Sequence, residues 1–339
     1  MSTSIPGKLH FVVPGPLTTL TGGFIYDRRI IDALEGLGWA LHVIEWASPA
    51  PTQPELDALV ALPENDSILI DGLSLHHLAD ALPEVRARCI GLIHHPCSLE
   101  PYQPEKQAVR DAEKRALAAL SGILSTSHHT ASQLEPLGVS PPSVHVIHPA
   151  TDVAPLITAP RNPRPRLLTV ATLTHRKGHD ILLDAVAELD FEWELEWVGS
   201  ERFEPEWARQ LRERAQNLPV EIHGELRRDA LERTYERADL FVFPSRYEGF
   251  GMAPLEAIRR GLPTLSSRAG ALEEALPADA AHFVDPDPES LRRGLEHCLD
   301  PVVLASLRAG AHAQAKNLPT WSDAGARFSE ALRALGVAR

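Results

Sequence analysis

Two glutamates, Glu248 and Glu256, bound the stretch EGFGMAPLE, in which two glycines and a proline separate them. These helix breakers argue against one continuous helix and favour a loop that leads into a helix at Pro254. Carboxylates accept hydrogen bonds from hydroxyl groups, and the amides at a helix start bind phosphate. A nucleotide sugar, with two hydroxylated ends and a diphosphate between them, would suit this arrangement. A capping role for Glu256 in the first helical turn is the structural alternative.

A basic loop, THRKGHD at 174–180, directly follows the apolar run RLLTVAT at 166–172. It places Arg176 and Lys177 just before a helical pattern. Cations at that position oppose the helix dipole, so they make sense if they face a bound anion such as a diphosphate. A solvated basic turn is the alternative interpretation.

Two further features follow apolar strand patterns nearer the N-terminus. The pair Gly22 and Gly23 precedes a helical pattern and would let the backbone approach a ligand closely, although a plain turn would look the same. His94 ends the apolar run CIGLIHH and could donate a hydrogen bond or exchange a proton. Adjacent histidines on a strand point to opposite faces, so we expect no metal site there. No GxGxxG motif supports a dinucleotide cofactor.

The elements that would position these residues form two successive β/α alternations. Apolar runs predict two sets of strands, the first at 9–13, 41–46, 67–71, 89–95, 122–127 and 144–148, the second at 166–172, 194–199, 220–224, 240–245, 263–267 and 282–285. Between the sets, residues 149–166 hold five prolines without periodicity and are typical of a linker. The pattern predicts an α/β protein with two parallel sheets covered by helices, which bind ligands at the carboxyl ends of their strands.

Composition narrows the function. The chain has 339 residues, which favours two domains, and a formal net charge of −13, which argues against a general nucleic-acid binder. Three cysteines without a CxxC pair indicate a reducing compartment. The N-terminal residues lack a secretory signal pattern, and no apolar run is long enough to cross a membrane. We therefore expect a cytoplasmic protein.

Three segments together resemble the retaining glycosyltransferases of family 4, which have the GT-B fold: TLTHRKGHDILLDAV, ADLFVFPSRYEGFGMAPLEAIRRGLPTLSS and RAGALEEAL. The resemblance implies two Rossmann-like domains facing a central cleft. It places an acceptor-side domain at 1–155, completed by a returning helix at 320–339, and a donor domain at 156–319.

The resemblance also assigns roles to residues. Glu248 would contact the donor sugar, Glu256 the ribose hydroxyls and Lys177 the donor phosphates. The implied catalytic residues are Glu248, His94 and Lys177; the implied donor-binding residues are Gly23, Arg176, Lys177, Phe250, Gly251, Met252, Ala253 and Glu256. The chain departs from the family at Thr172, where many members have an arginine. Arg176 or another cation would have to replace that arginine, or the phosphate site is weaker.

The implied reaction moves a sugar from a nucleotide-sugar donor to a hydroxyl acceptor with retention, and without a metal or other cofactor. A UDP-sugar is favoured and GDP-mannose comes next. A glycoside phosphorylase or a disaccharide synthase on the same fold is one alternative. A non-catalytic nucleotide-sugar sensor is another.

The acceptor is a small molecule, a glycan or a lipid-linked sugar, and Tyr26 and Arg29 are its candidate contacts. Residues 1–160 carry 9 Lys and Arg against 17 Asp and Glu. A stripe of Lys106, Arg110 and Lys114 is interrupted by acids, Asp111 and Glu113, so a solvated helix face is favoured. The sequence thus predicts at most peripheral membrane contact.

Overall fold

The computed structural model describes residues 7–100, 105–157 and 162–339, which form two compact units. The first unit comprises the described residues up to Ala150 together with Pro319–Arg339, and the second is Thr151–Leu318. The sequence prediction had drawn the corresponding borders at 155 and 319.

The first unit is a six-stranded parallel sheet with the order β2-β1-β3-β4-β5-β6. Its central strands, such as β1 and β3, are buried on both faces, as a helix-covered parallel sheet requires. Its elements are β1 Leu9–Val13, α1 Gly22–Gly36, β2 Leu41–Glu45, α2 Gln53–Val60, β3 Ser67–Asp71, β4 Arg88–Ile93, α3 Lys106–Ala118, β5 Gly122–Ser125, α4 His128–Gln133, β6 Val144–Val146 and the last helix of the chain, α12 Trp321–Ala334.

The second unit is also a six-stranded parallel sheet, with the order β12-β11-β10-β7-β8-β9. Its elements are β7 Arg166–Val170, α5 His179–Ala187, β8 Glu194–Val198, α6 Pro205–Ala215, β9 Val220–Ile222, α7 Arg228–Arg237, β10 Leu240–Phe243, α8 Met252–Arg259, β11 Thr264–Ser267, α9 Leu272–Ala275, β12 Ala281–Val284, α10 Pro288–Cys298 and α11 Pro301–Gln314. Each described strand overlaps an apolar run of the sequence, so the predicted α/β class is confirmed.

Strand order marks one position in each sheet as the place for a ligand. In open α/β sheets, ligands bind outside the carboxyl ends of the strands, where the strand order reverses. That point lies between β1 and β3 in the first unit and between β7 and β10 in the second. The loops that follow β7 and β10 hold Lys177 and Glu248. In the first unit, Asp71 is the last residue of β3, and α1 follows β1.

The segment predicted as a linker is partly packed. Residues 158–161 lie outside the described residues, but Ile157 is buried in the core of the second unit. Its amide donates to the carbonyl of Arg260 at 2.8 Å. The interpretation of 149–166 as a linker therefore needs a correction at Ile157, because this isoleucine among the prolines packs into the second unit.

Two helices of the first unit make contacts that the sequence pattern does not specify. Glu113 does not belong to the solvated face of α3, because its side chain is buried and accepts hydrogen bonds from the amides of Cys97 and Ser98. The last helix, α12, packs on α1, and the Trp39 indole donates to Ser329 at 2.8 Å. None of the described helices has the length and apolar character that a membrane crossing needs.

Candidate functional site

The second unit brings Arg176, Lys177 and Glu248 together at the point where its strand order reverses. Lys177 Nζ lies 2.6 Å from Glu248 Oε1, and Arg176 Nη1 lies 3.1 Å from the same oxygen. Arg176 also donates to the carbonyl of Tyr247 at 2.9 Å. Lys177 Nζ lies 5.1 Å from the centre of the Phe243 ring, a distance at which a cation is attracted to the ring face. Two cations therefore meet one carboxylate at the carboxyl ends of neighbouring strands.

Glu248 is a buried anion that its cations stabilise. Its side chain is only 8% exposed. Burial alone would raise the pKa of Glu248, but the charges of Lys177 and Arg176 outweigh it and hold the pKa below its ordinary value. The carboxylate therefore remains ionised at neutral pH and can accept hydrogen bonds from a ligand.

A glycine and an ion pair hold the turn that carries these cations. Gly178 has a φ of +69°, and a Cβ there would lie 2.1 Å from the carbonyl oxygen of Pro244. Arg246, on the loop after β10, binds both oxygens of Asp180 at 2.8 and 2.6 Å. Its guanidinium also donates to the carbonyl of His175 at 2.7 Å. The two loops are thus joined on both sides of Lys177.

The loop that carries Glu248 is fixed through its backbone. The carbonyl of Glu248 accepts from the amide of Ala271 at 3.0 Å. A Cβ on Gly270, where φ is +62°, would lie 2.0 Å from that same carbonyl oxygen. The glycine of the RAGALEEAL segment is therefore required for the close approach that positions Glu248.

Helix α8 begins earlier than the sequence predicts. It starts at Met252 after Gly251, whose φ is +107°, so Pro254 is the third helical residue rather than the first. A proline costs no hydrogen bond there, because the first four amides of a helix have no intrahelical acceptor. The amides of Met252 and Ala253 are among those four, which suits the predicted contact with phosphate.

This start corrects the expectation for Glu256. It is the fifth residue of α8, and the first turn contains no acid, so a first-turn capping role is excluded. Glu256 is half-buried. Nearby, Arg260 pairs with Glu232 and lies 4.5 Å from the centre of the Tyr235 ring. The contact of Glu256 with ribose stays a prediction.

In the first unit, His94 meets two buried aspartates. Its Nε2 lies 3.1 Å from Asp27 Oδ1 and 3.4 Å from Asp71 Oδ2. Asp27 is on α1 and Asp71 ends β3, so the three residues converge where the strand order of this sheet reverses. The Tyr26 ring packs edge-on against His94, with the ring centres 5.3 Å apart.

Burial and mutual charge set the protonation of this cluster. Burial lowers the pKa of His94, but hydrogen bonds and charge from the two aspartates outweigh it and raise the pKa to about 10. Burial and the neighbouring Asp71 raise the pKa of Asp27 to about 8. Burial would also raise the pKa of Asp71, but its hydrogen bonds and the charge of His94 bring it below the ordinary value. His94 is therefore a cation beside one firmly ionised aspartate.

The remaining predicted residues of the first unit have mixed outcomes. Gly22 and Gly23 are the first residues of α1 rather than a loop before it. A Cβ on Gly23 would lie 3.6 Å from the His94 ring, an ordinary contact, so the protein itself does not require glycine there. Arg29 is half-buried on α1, and its predicted contact with the acceptor is untested.

The expectation that Tyr26 contacts the acceptor is wrong in this structure. Its side chain is completely buried, and its hydroxyl donates to the carbonyl of Ile147 at 3.1 Å. Its ring also packs edge-on against Trp321 of α12. Tyr26 therefore fixes α1 against its neighbours.

Sequence reasoning missed Asp27 and Asp71 as members of the site. The available signal was position: Asp71 is the last residue of the apolar run SILID, and Asp27 lies one turn into the helix behind the glycine pair.

Thr172 occupies the position, after β7, at which many members of the family have an arginine. Arg176, four residues on, is the cation that lies beside Lys177 on Glu248.

Comparisons with known proteins agree with this geometry. Residues 164–300, which contain Lys177 and Glu248, match the family "Glycosyl transferases group 1". The chain is 34% identical over 173 residues to the mannosylfructose-phosphate synthase of Agrobacterium fabrum, covering 46% of this chain and 37% of that protein. It is 29% identical over 260 residues to the MMP alpha-(1->4)-mannosyltransferase of Mycolicibacterium hassiacum, covering 70% and 63%.

A third relative is the serotype-specific mannosyltransferase WbdA of Escherichia coli, 32% identical over 165 residues, with 46% of this chain and 20% of that protein covered. The chain thus spans between 20% and 63% of the length of these three relatives.

Solved structures match along nearly the whole chain. The sucrose-phosphate synthase of Thermosynechococcus elongatus superposes with a TM-score of 0.80 at 20% identity, covering 98% of this chain and 100% of that one. Anabaena Alr3699/HepE, in complex with UDP-glucose, gives 0.81 at 18% identity, covering 96% and 99%. At such identities the likeness shows the fold. The predicted resemblance is confirmed: the chain is GT4-like, similar to the group 1 glycosyltransferases, and has the GT-B fold.

Proposed function

We propose that the protein is a retaining glycosyltransferase that moves a sugar from a nucleotide-sugar donor to a hydroxyl acceptor without a metal ion. The observation that supports this most directly is the convergence of Lys177 and Arg176 on Glu248 Oε1, beside the start of α8. A nucleoside diphosphate is the leaving group of such a reaction, and its developing charge needs stabilisation.

The cations can contact phosphate without leaving Glu248. An ammonium group has three N–H donors and a guanidinium has five, and Glu248 occupies only part of each set. The first amides of α8 add further donors. We expect Lys177 and Arg176 to bridge the carboxylate and the diphosphate, which supplies the positive charge that Mg²⁺ provides in other transferases.

The donor is proposed to be a UDP-sugar, with GDP-mannose next. Anabaena Alr3699/HepE, whose fold this chain shares, was solved with UDP-glucose, and two of the sequence relatives are named mannosyltransferases. A thermal-shift screen of UDP-, GDP- and ADP-sugars tests this choice, because a bound donor stabilises the folded state by an amount that rises with the logarithm of its concentration above Kd. If no nucleotide sugar raises the melting temperature, the proposed function is refuted.

Retention is proposed to arise from a front-face reaction in which the departing phosphate oxygen helps to deprotonate the acceptor hydroxyl. Glu248 is poorly suited to act as a covalent nucleophile, because two cations already neutralise its charge. Glu248→Gln should therefore lose turnover strongly, whereas the exposed Glu221→Gln should not. Mass spectrometry of the enzyme after donor exposure should find no glycosyl adduct; a stable adduct on Glu248 would overturn the front-face mechanism.

A second candidate is a disaccharide synthase or a glycoside phosphorylase on the same site. It is favoured by the 34% identity to a mannosylfructose-phosphate synthase and by the fold shared with a sucrose-phosphate synthase. Assaying the reverse reaction with a nucleoside diphosphate and, separately, with inorganic phosphate would distinguish the classes. Only a phosphorylase would consume phosphate.

The acceptor is proposed to be a small molecule, a glycan or a lipid-linked sugar, and the protein to act in the cytoplasm with at most peripheral membrane contact. On α3, Lys106 and Lys114 are exposed while Glu113 points inward. Co-sedimentation with anionic vesicles tests this point. Strong binding that salt abolishes would favour a lipid-linked acceptor.

A further inference from the structure

Two buried aspartates bind the same nitrogen of one histidine. Asp27 Oδ1 and Asp71 Oδ2 lie 3.1 and 3.4 Å from His94 Nε2. Asp71 is ionised and its oxygens can only accept, so Nε2 is the nitrogen that carries a hydrogen. The other nitrogen, Nδ1, then decides the chemistry of the ring, because it donates when the ring is charged and accepts when the ring is neutral.

Nδ1 is also the nitrogen that a ligand can reach. Among the described residues, none makes a hydrogen bond to it, and the His94 side chain keeps 17% of its surface exposed. Gly23 faces the opposite edge of the ring, since a Cβ there would lie 3.6 Å from Cδ2 and 3.8 Å from Nε2. The carbonyl of His94 is held by the hydroxyls of Thr126 and Thr130, each at 3.2 Å.

We propose that Asp27 and Asp71 are positioning residues that keep His94 in its imidazolium form, so that Nδ1–H donates a charged hydrogen bond to an oxygen of a sugar substrate. The identity of the ligand rests on the proposed function; the charge of the ring does not. His94 is then a fixed cationic donor and not a general base, because Nδ1 has no lone pair available while the ring is charged.

The surroundings of the ring support a stable positive charge. The aspartates raise the pKa of His94 to about 10 despite its burial. Burial raises the pKa of Tyr26, whose ring faces His94, well above its ordinary value. Burial likewise raises the pKa of the Cys97 thiol, to which the charge of Asp71 adds. Tyr26 and Cys97 therefore stay neutral at physiological pH, and the two aspartates set the charge of the cluster.

The two carboxylates contribute unequally to that charge. Asp27 is completely buried and lies beside the charge of Asp71, and both effects disfavour ionisation of Asp27. Asp71 accepts a further hydrogen bond from the amide of Leu73 at 2.7 Å, which favours its ionised form. Asp71 is thus the main counter-ion of His94, and Asp27 chiefly orients the ring.

The test is an NMR titration of the full chain labelled with ¹³C and ¹⁵N in histidine, with His94 assigned by its loss in His94→Gln. In the wild type, both ring nitrogens of His94 should remain protonated between about pH 6 and pH 9, where an ordinary histidine loses its proton. Asp71→Asn should lower the midpoint by roughly 1–3 pH units, the usual effect of one close opposite charge. Asp27→Asn should lower it less.

Asp66→Asn is the matched control, because Asp66 also pairs with a buried histidine, His10, at 2.8 Å, but at the amino end of the same sheet. It should leave the His94 signal unchanged. A wild-type His94 that titrates near its ordinary pKa, or a midpoint that Asp71→Asn does not move, would overturn the proposal. The wild-type titration stands even if an aspartate variant fails to fold. If the titration is as expected and no nucleotide sugar binds, only the proposed function fails.

A pH profile separates positioning from a merely structural role. In the wild type, His94 should keep its proton between about pH 6 and pH 9. The rate of nucleoside diphosphate release should therefore not fall in this range on account of His94. In Asp71→Asn, turnover should fall as pH rises through the new midpoint, because the charged donor becomes a neutral acceptor. A turnover loss equal at every pH would instead indicate structural damage and contradict the proposal.

Discussion

A buried carboxylate that is already paired with two cations has a specific consequence for ligand binding. Glu248 keeps Lys177 and Arg176 in place before any anion arrives, since both nitrogens lie within 3.1 Å of one oxygen. The side-chain entropy of ordering these cations is therefore lost on folding and not on binding. Phosphate contacts with this paired site therefore have a smaller entropy cost than contacts with two mobile surface cations would have.

We predict that Lys177→Ala weakens binding of a nucleoside diphosphate by about 10- to 100-fold, since charged hydrogen bonds contribute roughly 1.5–3 kcal/mol each. Removing Lys177 also takes away the charge that contributes most to lowering the pKa of Glu248. Titration calorimetry with UDP measures the affinity. Lys316→Ala, an exposed lysine in the same unit, is the control and should bind as the wild type does. Equal affinities for both variants would show that Lys177 does not contact the phosphates.

Among individual residues, the sequence predicted most of the cluster around Glu248 in the second unit and little of the cluster around His94 in the first. The sequence predicted Glu248, Arg176 and Lys177, because they lie in loops that directly follow predicted strands of the donor half of the chain. The basic loop and the acidic loop both suit a nucleotide sugar. Asp27 and Asp71 were not found, since their meeting with His94 depends on β3 and β4 lying side by side next to β1. Strand order is not visible in the residues themselves.

The loops that carry the cations are built on backbone geometry that side chains cannot replace. We predict that Gly178→Ala lowers the free energy of unfolding by more than Gly138→Ala does. Both glycines have a positive φ, which costs an alanine about 1 kcal/mol. Only at Gly178 would the added Cβ also meet a backbone oxygen, that of Pro244 at 2.1 Å, whereas nothing lies within 4 Å of it at Gly138.

Urea denaturation of the two variants measures this difference. Gly36→Ala is a further control, because Gly36 is the last residue of α1, has no positive φ, and has open space where a Cβ would be added. That variant should be neutral or slightly stabilised by the better helix former. If Gly178→Ala and Gly138→Ala lose the same stability, the turn yields to the added methyl and the contact with Pro244 is unimportant.

The ion pair between Arg246 and Asp180 should make the same turn sensitive to acid. Burial raises the pKa of Asp180, but the hydrogen bonds and charge of Arg246 outweigh it and lower the pKa. A carboxyl with a lowered folded pKa stabilises the fold above its unfolded pKa, near 4, and loses that contribution as pH falls through the folded value. We predict that Asp180→Asn is less stable than the wild type at neutral pH by roughly 1–3 kcal/mol.

The difference between Asp180→Asn and the wild type should shrink as pH is lowered below about 4, because the wild type then protonates Asp180 itself. Chemical denaturation at a series of pH values gives the two curves. Glu192→Gln is the control, since Glu192 pairs with Arg164 at the surface and is 75% exposed. A gap between the curves that does not change with pH would contradict the electrostatic origin.

Elements were the level that the sequence predicted best. Every strand of the described residues overlaps a predicted run. The signal is clearest for β1, β3 and β10, because a strand buried on both faces must be apolar throughout. The start of α8 was missed by two residues, since proline is tolerated throughout the first helical turn and does not mark its first residue. Ile157 was missed because packing of a single side chain leaves no periodic signal.

The two compact units have separate hydrophobic cores, so the molecule as a whole should unfold in steps that can be separated. The first unit depends on residues from both ends of the described chain, since α12 packs on α1. A Cβ on Gly325 of α12 would lie 2.5 Å from the Cβ of Ala33, which shows how closely these helices approach. The length of the chain and its alternation of strand and helix patterns predicted two domains. They did not predict how closely α1 and α12 approach, because that distance depends on side-chain packing.

We predict that Phe328→Ala destabilises the first unit by about 3–5 kcal/mol, because it empties a completely buried aromatic site on α12. The second unit keeps its own core and should be unaffected, so calorimetric unfolding should split into two transitions. Adding UDP should raise only the upper transition, because Lys177 and Glu248, the proposed phosphate contacts, belong to the second unit. Phe241→Ala, in the core of the second unit, is the matched control and should lower the UDP-sensitive transition instead. A single transition for Phe328→Ala that shifts as a whole with UDP would show that the units do not unfold independently.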